Sequence, residues 1–317
     1  MTPQTSTASP PPALAAQTPA PAGAVPRIAV VIATKGRPGA VTEVVRLLER
    51  QTLSPSIVII SATGDSDIEA PLESSVFPLE LIYGSASSTK QRNRALERVR
   101  RQADIVVFFD DDFAPAVTWL EHCAFAFAAD AHVVGVGGLV LRNGATESAE
   151  VSWDEAKRLI SDPPPLPPGP PTFVSCPSLY GCNMAFRITA IGDLRFDERL
   201  VLYAWMEDKD FSRIAGRTGR LVRYNGMVGV HLGIKSGRVS GKRYGYSQVV
   251  NPWYLYQKKV LSRKEVWPNI FKAILANGIK SFRPEKNIDR HGRFVGNLVG
   301  VGELMCGRCR PERAEEL

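Results

Sequence analysis

The chain has 317 residues, 44% hydrophobic and 22% charged, a composition that fills a sizeable core and argues against a wholly disordered or fibrous protein. Its formal charge of +7 is uneven: Lys235 to Leu317 holds 17 Lys or Arg against 7 Asp or Glu, a local +10, and the 234 residues before it hold 22 against 25. No stretch reaches the roughly 18 consecutive apolar residues of a membrane span. The five cysteines, scattered and odd in number, argue against a disulfide framework.

Met1 to Pro26 is rich in Pro, Ala, Thr and Ser and is expected to be a disordered tail. It has neither the basic start nor the apolar run of a signal peptide, so the expectation is a cytoplasmic protein whose membrane contact, if any, is peripheral. Arg27 to Ala33 (RIAVVIA) reads as a buried strand. The loop Thr34-Lys35-Gly36-Arg37-Pro38 follows it, then a helix with Val41, Val44, Val45 and Leu48 on one face. Ser56 to Ala62 and Leu79 to Tyr83 read as the second and third strands, and Ser88 to Arg101 as a helix capped by Ser88 or Thr89.

Asp104 to Phe109 is a fourth strand, apolar enough to be buried on both faces, and it runs straight into Asp110-Asp111-Asp112. Adjacent carboxylates repel and raise one another's pKa unless a cation neutralises them. The triplet therefore points to a hard divalent ion, Mn2+ or Mg2+. A plainer reading is an N-cap and turn, with Pro115 opening a helix.

Strands alternating with helices predict an α/β fold, a doubly wound, mostly parallel, Rossmann-like sheet with its ligands outside the carboxyl ends of the strands. Those ends carry Thr34 to Arg37, Gly64 to Asp67 and Asp110 to Asp112. There is no Gly-rich phosphate loop, so a phosphate would be held through metal and through Lys35, Arg37, Lys90 and Arg92; each alone reads first as solvated surface, and only its position at a strand end or helix start points to a ligand.

Ala131 to Leu141 reads as a further strand, and Asp162 to Thr172, with seven prolines in eleven residues, as a loop flanking the site. Regular structure resumes at Gly181-Cys182-Asn183-Met184-Ala185-Phe186-Arg187. A helix starting at Glu207 would place carboxylates at its N-terminus, as functional groups or as an ordinary acidic first turn. Arg220 to Tyr224 reads as a strand, and His231, between apolar neighbours, as a core histidine or a ligand. Farther on, Trp267, Ile270, Phe271, Ile274 and Leu275 share a helical face that is expected to contact the core, or less simply a membrane surface. Cys306 and Cys309 have the spacing of half a zinc site without a second pair. The basic C-terminal part suits an anionic bilayer or a phosphorylated substrate, and no nucleic-acid-binding motif accompanies it.

In order, VIATKGRP, TKQRNRAL, FFDDDF, GCNMAFR, FDERL with MEDKDF, and a late histidine resemble a family 2 glycosyltransferase of the GT-A fold. The resemblance runs from about Arg27 to about Gly233, followed by a basic, partly helical extension over 234–317. It implies that Asp110, Asp112 and His231 hold Mn2+ or Mg2+, and that Asp208 is the general base. It places the nucleotide and its diphosphate against Thr34, Lys35, Arg37, Asp65, Lys90, Arg92, Asn93 and Asp111, and the sugars beside Gly181, Asn183, Met184 and Glu207. It implies inverting transfer from a UDP-, GDP- or TDP-sugar to a glycan or a lipid-diphosphate-linked saccharide, as in bacterial exopolysaccharide or cell-surface glycan synthesis. The chain departs from the family after the second strand, where paired acids are usual and Asp65 comes late. A sugar nucleotidyltransferase is a rival, but Val30 to Gly39 lacks its Gly-rich loop. A silent nucleotide-binding protein is another, and the presence of Asp110, Asp112 and Asp208 argues against it.

Overall fold

A computed structural model describes residues 25–147, 149–161, 172–236, 240–282, 285 and 288–317. Nearly all of the N-terminal tail and of the proline-rich loop lie outside the described residues, and so do the expectations placed on them.

The elements are β1 (Ile28–Ala33), α1 (Pro38–Glu49), β2 (Ile57–Ala62), β3 (Leu79–Tyr83), α2 (Ser88–Val99), β4 (Ile105–Asp110), β5 (Phe113–Pro115) and α3 (Trp119–Ala129). Then come β6 (Val133–Asn143), α4 (Trp153–Ser161), β7 (Phe173–Ser175), β8 (Asn183–Arg187), α5 (Ile188–Ile191), α6 (Glu207–Ala215), β9 (Arg220–His231), α7 (Gly241–Gln257), α8 (Arg263–Lys280) and α9 (Arg290–Met305). The plainer reading of Pro115 is corrected: it ends the short β5 and the helix waits until Trp119. The strand expected over Arg220 to Tyr224 continues to His231, so the histidine closes a strand.

The strand order is β3-β2-β1-β4-β8-β6-β9-β5, with β7 also on β9. Pairing directions leave six strands pointing one way and β5, β7 and β8 the other. The carboxyl ends of β1, β4, β6 and β9 therefore share one edge, and the reversed β8 starts there.

Both faces of the sheet are covered, which is why its central strands read as unbroken apolar runs. Ile28, Val30 and Ile32 of β1 pack with Val41, Val44 and Leu48 of α1, and Ala29 and Val31 pack on the other side with Ala95 and Leu96 of α2. The same alternation in β4 sends Val107 and Phe109 to the first layer and Val106 and Phe108 to the second. Phe108 sits edge-on to Phe186, Phe196 and Phe211, with centroids 5.2 to 6.3 Å away.

The C-terminal helices close over the second layer. Gly245 of α7 and Gly296 of α9 let the two backbones touch, since a Cβ on either would fall inside the other helix's main chain. Leu200, Ala204 and Met206 share a core with Val249, Leu255, Val260 and Ile270. Lys258, just past α7, donates to Asp197 Oδ2 (2.8 Å) and to the buried Asp210 Oδ2 of α6 (2.6 Å).

The expected core face of α8 is corrected in part. Ile270 is buried, but Phe271 and Leu275 are each 64% exposed. The helix turns Val266, Ile270 and Asn277 inward instead, and Asn277 Nδ2 donates to Asn297 Oδ1 at 2.8 Å. Cys306 and Cys309 are free thiols.

α8 starts with a reciprocal cap: Glu265 Oε2 accepts from the Ser262 N–H (2.9 Å) and hydroxyl (2.8 Å), while Oε1 accepts from Arg213 of α6 at 2.5 Å. The Arg213 hydrogen bond outweighs burial and holds the carboxyl down at about 2, against an ordinary 4.5. A folded-state pKa below the unfolded one stabilises above the unfolded value, and the contribution is lost as pH falls through the folded one. We expect Glu265→Gln to lower the urea midpoint at neutral pH and to flatten its fall between pH 4.5 and 2, as followed by far-UV circular dichroism; an unchanged acid limb would show the cap to be silent.

Candidate active site

The alternation of β4 carries into its acidic end. Asp110 faces the α2 and α6 side, where Oδ1 accepts from Arg92 Nη2 at 2.7 Å. Asp111 faces the α1 side, where Oδ2 accepts from the Thr34 hydroxyl (2.7 Å) and Oδ1 from Arg37 Nη1 (2.9 Å). Asp112 Oδ2 accepts from the Ile234 N–H (2.8 Å), and its Oδ1 lies 3.2 Å from His231 Nε2. Burial, with Asp112 and Asp110 beside it, pushes Asp111 up to about 7 although Arg37 opposes the shift. Burial acts on Asp112 as well, but His231, Arg37 and the Ile234 N–H outweigh it and hold it at about 2.

His231 lies between two strands, in register with Asn143 of β6 and Phe113 of β5. Asn143 Oδ1 accepts from the Ala145 N–H at 3.2 Å, which fixes the amide with its oxygen towards His231 Nδ1, 3.0 Å away. An amide oxygen can only accept, so this contact places a proton on Nδ1, and the Tyr180 hydroxyl lies 3.2 Å from Nδ1 and 3.3 Å from Asn143 Nδ2. Nε2 is left facing Asp112 Oδ1 and, at 3.7 Å, Asp110 Oδ2. A lone pair aimed at two carboxylates is unfavourable, so the space between them takes up either a proton on Nε2 or a metal cation. Burial lowers the imidazole pKa, and the two acids more than reverse that. One ligand atom each from Asp110, Asp112 and His231 lies within 4.8 Å of the others, so the residues fit a divalent ion, with Asn143 supplying the outer hydrogen bond that orients a ligating histidine.

Beside this set, Arg92 is 2% exposed and pairs with Glu207 Oε1 as well as Asp110, while also donating to the Gly181 carbonyl at 3.0 Å. Burial lowers its pKa, and Glu207, Asp110 and Asp208 more than reverse that, so it stays charged. Glu207 opens α6 and is raised to about 8 by burial and by Asp208 and Asp110, against the pull of Arg92. Asp208 Oδ2 accepts from the Gly181 N–H (3.0 Å) and Oδ1 from the Lys209 N–H (2.7 Å), and burial still raises its pKa. A Cβ on Gly181 would lie 3.2 Å from Asp208 Cβ and 3.3 Å from Glu207 Oε1, so a side chain there would press on both acids. Asp110, Tyr180, Gly181, Tyr203, Trp205, Glu207 and Asp208 line one cleft.

The remaining sequence candidates divide. Lys90 lines a second cleft with Arg94 and Arg195, and Lys35 and Asp65 are exposed. Asn93 brackets the Phe196 backbone, donating to its carbonyl (2.9 Å) and accepting from its N–H (2.8 Å). Met184 is core, and Asn183 is buried at the start of β8 with its Nδ2 unpaired.

Four residues escape the sequence reading. Asn143 matters through its register with His231. Asp67, two residues past Asp65, accepts from the Gly36, Thr63 and Gly64 N–H groups and ties the loop after β1 to the loop after β2. Tyr203 and Trp205 stand between Leu202, Ala204 and Met206, all three with positive φ (61°, 54° and 73°). Non-glycine residues held in the left-handed region cluster at functional sites.

No family model matches the chain, and no curated protein matches it in sequence. Similar solved structures include GalNAc-T7 with UDP, GalNAc and Mn2+, 12% identical over 93% of this chain and 56% of that one, with a TM-score of 0.51. S. aureus TarS 1–349 in complex with UDP-GlcNAc is 16% identical over 92% of this chain and 83% of that one, TM-score 0.49. Mannosyltransferase PcManGT from Pyrobaculum calidifontis, with GDP-Man and Mn2+, is 16% identical over 93% and 79%, TM-score 0.47. The chain spans 44% of a longer TarS structure. Together with the sheet order, the likeness to GalNAc-T7 identifies the fold as GT-A.

If Asn143 orients His231 for a metal, Asn143→Ala should weaken Mn2+ binding about tenfold or more, read by electron paramagnetic resonance titration of free Mn2+. Unchanged affinity in a folded variant would refute the role.

Proposed function

We propose that the protein is an inverting, metal-dependent glycosyltransferase of the family 2 type. It would move a sugar from a nucleoside diphosphate to a hydroxyl of a glycan or lipid-diphosphate-linked saccharide, in polysaccharide synthesis. One observation carries the reading: Asp110, Asp112 and His231 bring ligand atoms within 4.8 Å of one another at the carboxyl edge of the sheet, and Asp110 also lines the cleft that holds Asp208. GalNAc-T7, which shares the fold, was solved with UDP, GalNAc and Mn2+, which supports extending the reading to such a donor.

Asp110, Asp112 and His231 would hold the ion, and the imidazole in the set favours Mn2+ over Mg2+. When bound, the ion supplies Lewis-acid stabilisation of the charge on a departing diphosphate. Arg37 places a guanidinium on the nucleotide side, locked against Asp111 and against the Ile234 carbonyl at 2.7 Å. Thr34, Lys35, Lys90 and Asp65 are proposed to border the nucleotide, and Asn93 to act by fixing the Phe196 backbone beneath Arg92.

Asp208 is the proposed base. As the acceptor oxygen bonds to the anomeric carbon, the bond from that carbon to the diphosphate oxygen breaks and its electron pair leaves with the diphosphate. The hydroxyl proton passes to Asp208, and attack opposite the leaving group inverts the anomeric carbon. The two backbone N–H groups on Asp208 fix its orientation, and its raised pKa makes it a stronger base than a solvated aspartate. Glu207, locked on Arg92, positions that guanidinium against Asp110. Tyr203 and Trp205 offer aromatic faces to the acceptor.

A panel of nucleotide sugars with Mn2+, read as release of nucleoside diphosphate with and without a membrane lipid extract, tests the reading. We expect Asp208→Asn to lower kcat on the order of 10² to 10⁴-fold with the donor KM nearly unchanged; near-normal turnover would remove Asp208 from the role. In thermal-shift measurements we expect UDP, GDP or TDP to stabilise the protein in Mn2+ and much less in EDTA. No metal-dependent stabilisation by any of them would favour a silent protein of this fold.

A further inference from the structure

Trp267, Phe271, Leu275 and Ile279 recur every fourth residue of α8 on its outer side, 37%, 64%, 64% and 61% exposed, and Phe282 continues beyond the helix at 88%. From Trp267 to Ile279 the stripe is roughly 18 Å long at helical rise. It is not surplus core, because Val266, Ile270 and Asn277 already fill the inner face. A continuous apolar strip of this length on a solvent-facing helix marks an interaction surface.

The charges select the partner. Lys264 and Lys272 are exposed beside the stripe, while Arg263 donates to the Tyr256 hydroxyl, Lys280 pairs with Glu285 at 2.7 Å, and the single acid of the helix, Glu265, is engaged by Arg213 and Ser262. The last 83 residues carry +10, so two copies meeting here would oppose like charges. An anionic bilayer accepts both features at once, with apolar and aromatic side chains entering the headgroup boundary and lysines meeting lipid phosphates. No described helix is long and apolar enough to cross a membrane, which leaves a helix lying in the surface plane.

We infer that α8 docks the protein flat on an anionic lipid bilayer through the Trp267-Phe271-Leu275-Ile279-Phe282 stripe. The inference does not rest on glycosyl transfer, and its test contains no nucleotide. The full chain is sedimented with vesicles of phosphatidylcholine alone or mixed with phosphatidylglycerol. The expected result is binding about tenfold or more tighter to the anionic vesicles. F271E/L275E should abolish it and K264E/K272E should weaken it about tenfold, with melting temperatures unchanged because all four side chains are exposed. Failure of the wild type to bind, or equal binding by the variants, would overturn the inference. So would a dimer, seen by light scattering, that F271E/L275E dissolves without any vesicle binding, because that assigns the stripe to a second copy.

Discussion

Charge balance at the carboxyl edge of the sheet is the constraint on which the rest of the site depends. Asp110, Asp111, Asp112, Glu207 and Asp208 meet there, and Arg37 and Arg92 are the guanidinium groups paired with them. Leaving carboxylates this deeply withdrawn from water without a counter-charge is expensive, so such a cluster either takes up protons or holds a cation. Both tendencies are visible. Asp111 and Glu207 are pushed up towards protonation, whereas Asp112 is held ionised opposite His231. Asp110 and Asp112 are the two acids that share the imidazole, and Arg92 reaches Asp110 as well as Glu207. The arginines therefore do more than neutralise: by tying Asp111 to α1 and Glu207 to α2, they keep those acids away from the point where a cation would sit.

How much of this the sequence discloses follows from the range over which each cue acts. The acidic triplet was legible because it interrupts an apolar strand, and the two-residue alternation of that strand decides which acid meets which arginine. Asn143 was not legible. Its role exists only because β6 and β9 pair in a register that brings it opposite His231, 88 residues later in the chain. Asp67 was missed for the opposite reason: it is so close to Asp65 that only the turn geometry shows which of the two points at the backbone. In α8 the apolar periodicity was read correctly but only part of it faces the core: Ile270 is buried and Ile274 packs beside it, whereas Phe271 and Leu275 point outward. The buried face carries Asn277 hydrogen-bonded to Asn297, whose own Nδ2 donates to the Gly245 carbonyl at 2.7 Å, so a polar pair occupies the place where pattern reasoning looks for leucine.

The change in charge near residue 234 is not a break in packing. The loop bearing Tyr203 and Trp205 holds three non-glycine residues at positive φ, a conformation that costs of order 1–3 kcal/mol each and persists only where the surroundings enforce it. Much of that enforcement comes from α7. Asn251 donates to the Trp205 carbonyl at 2.9 Å, and Tyr244 lies 5.5 Å from the Trp205 ring and 5.7 Å from that of Tyr203. Ala204 and Met206, two of the strained residues, belong to the core that Val249 and Leu255 of α7 complete. The helices after residue 240 therefore shape the wall of the cleft beside Asp208. The same bundle presents the apolar stripe of α8 to the outside, so the surface inferred to meet lipid and the wall of the cleft belong to one packed unit. An acceptor held at a bilayer and a base held by α6 would then be positioned by the same three helices.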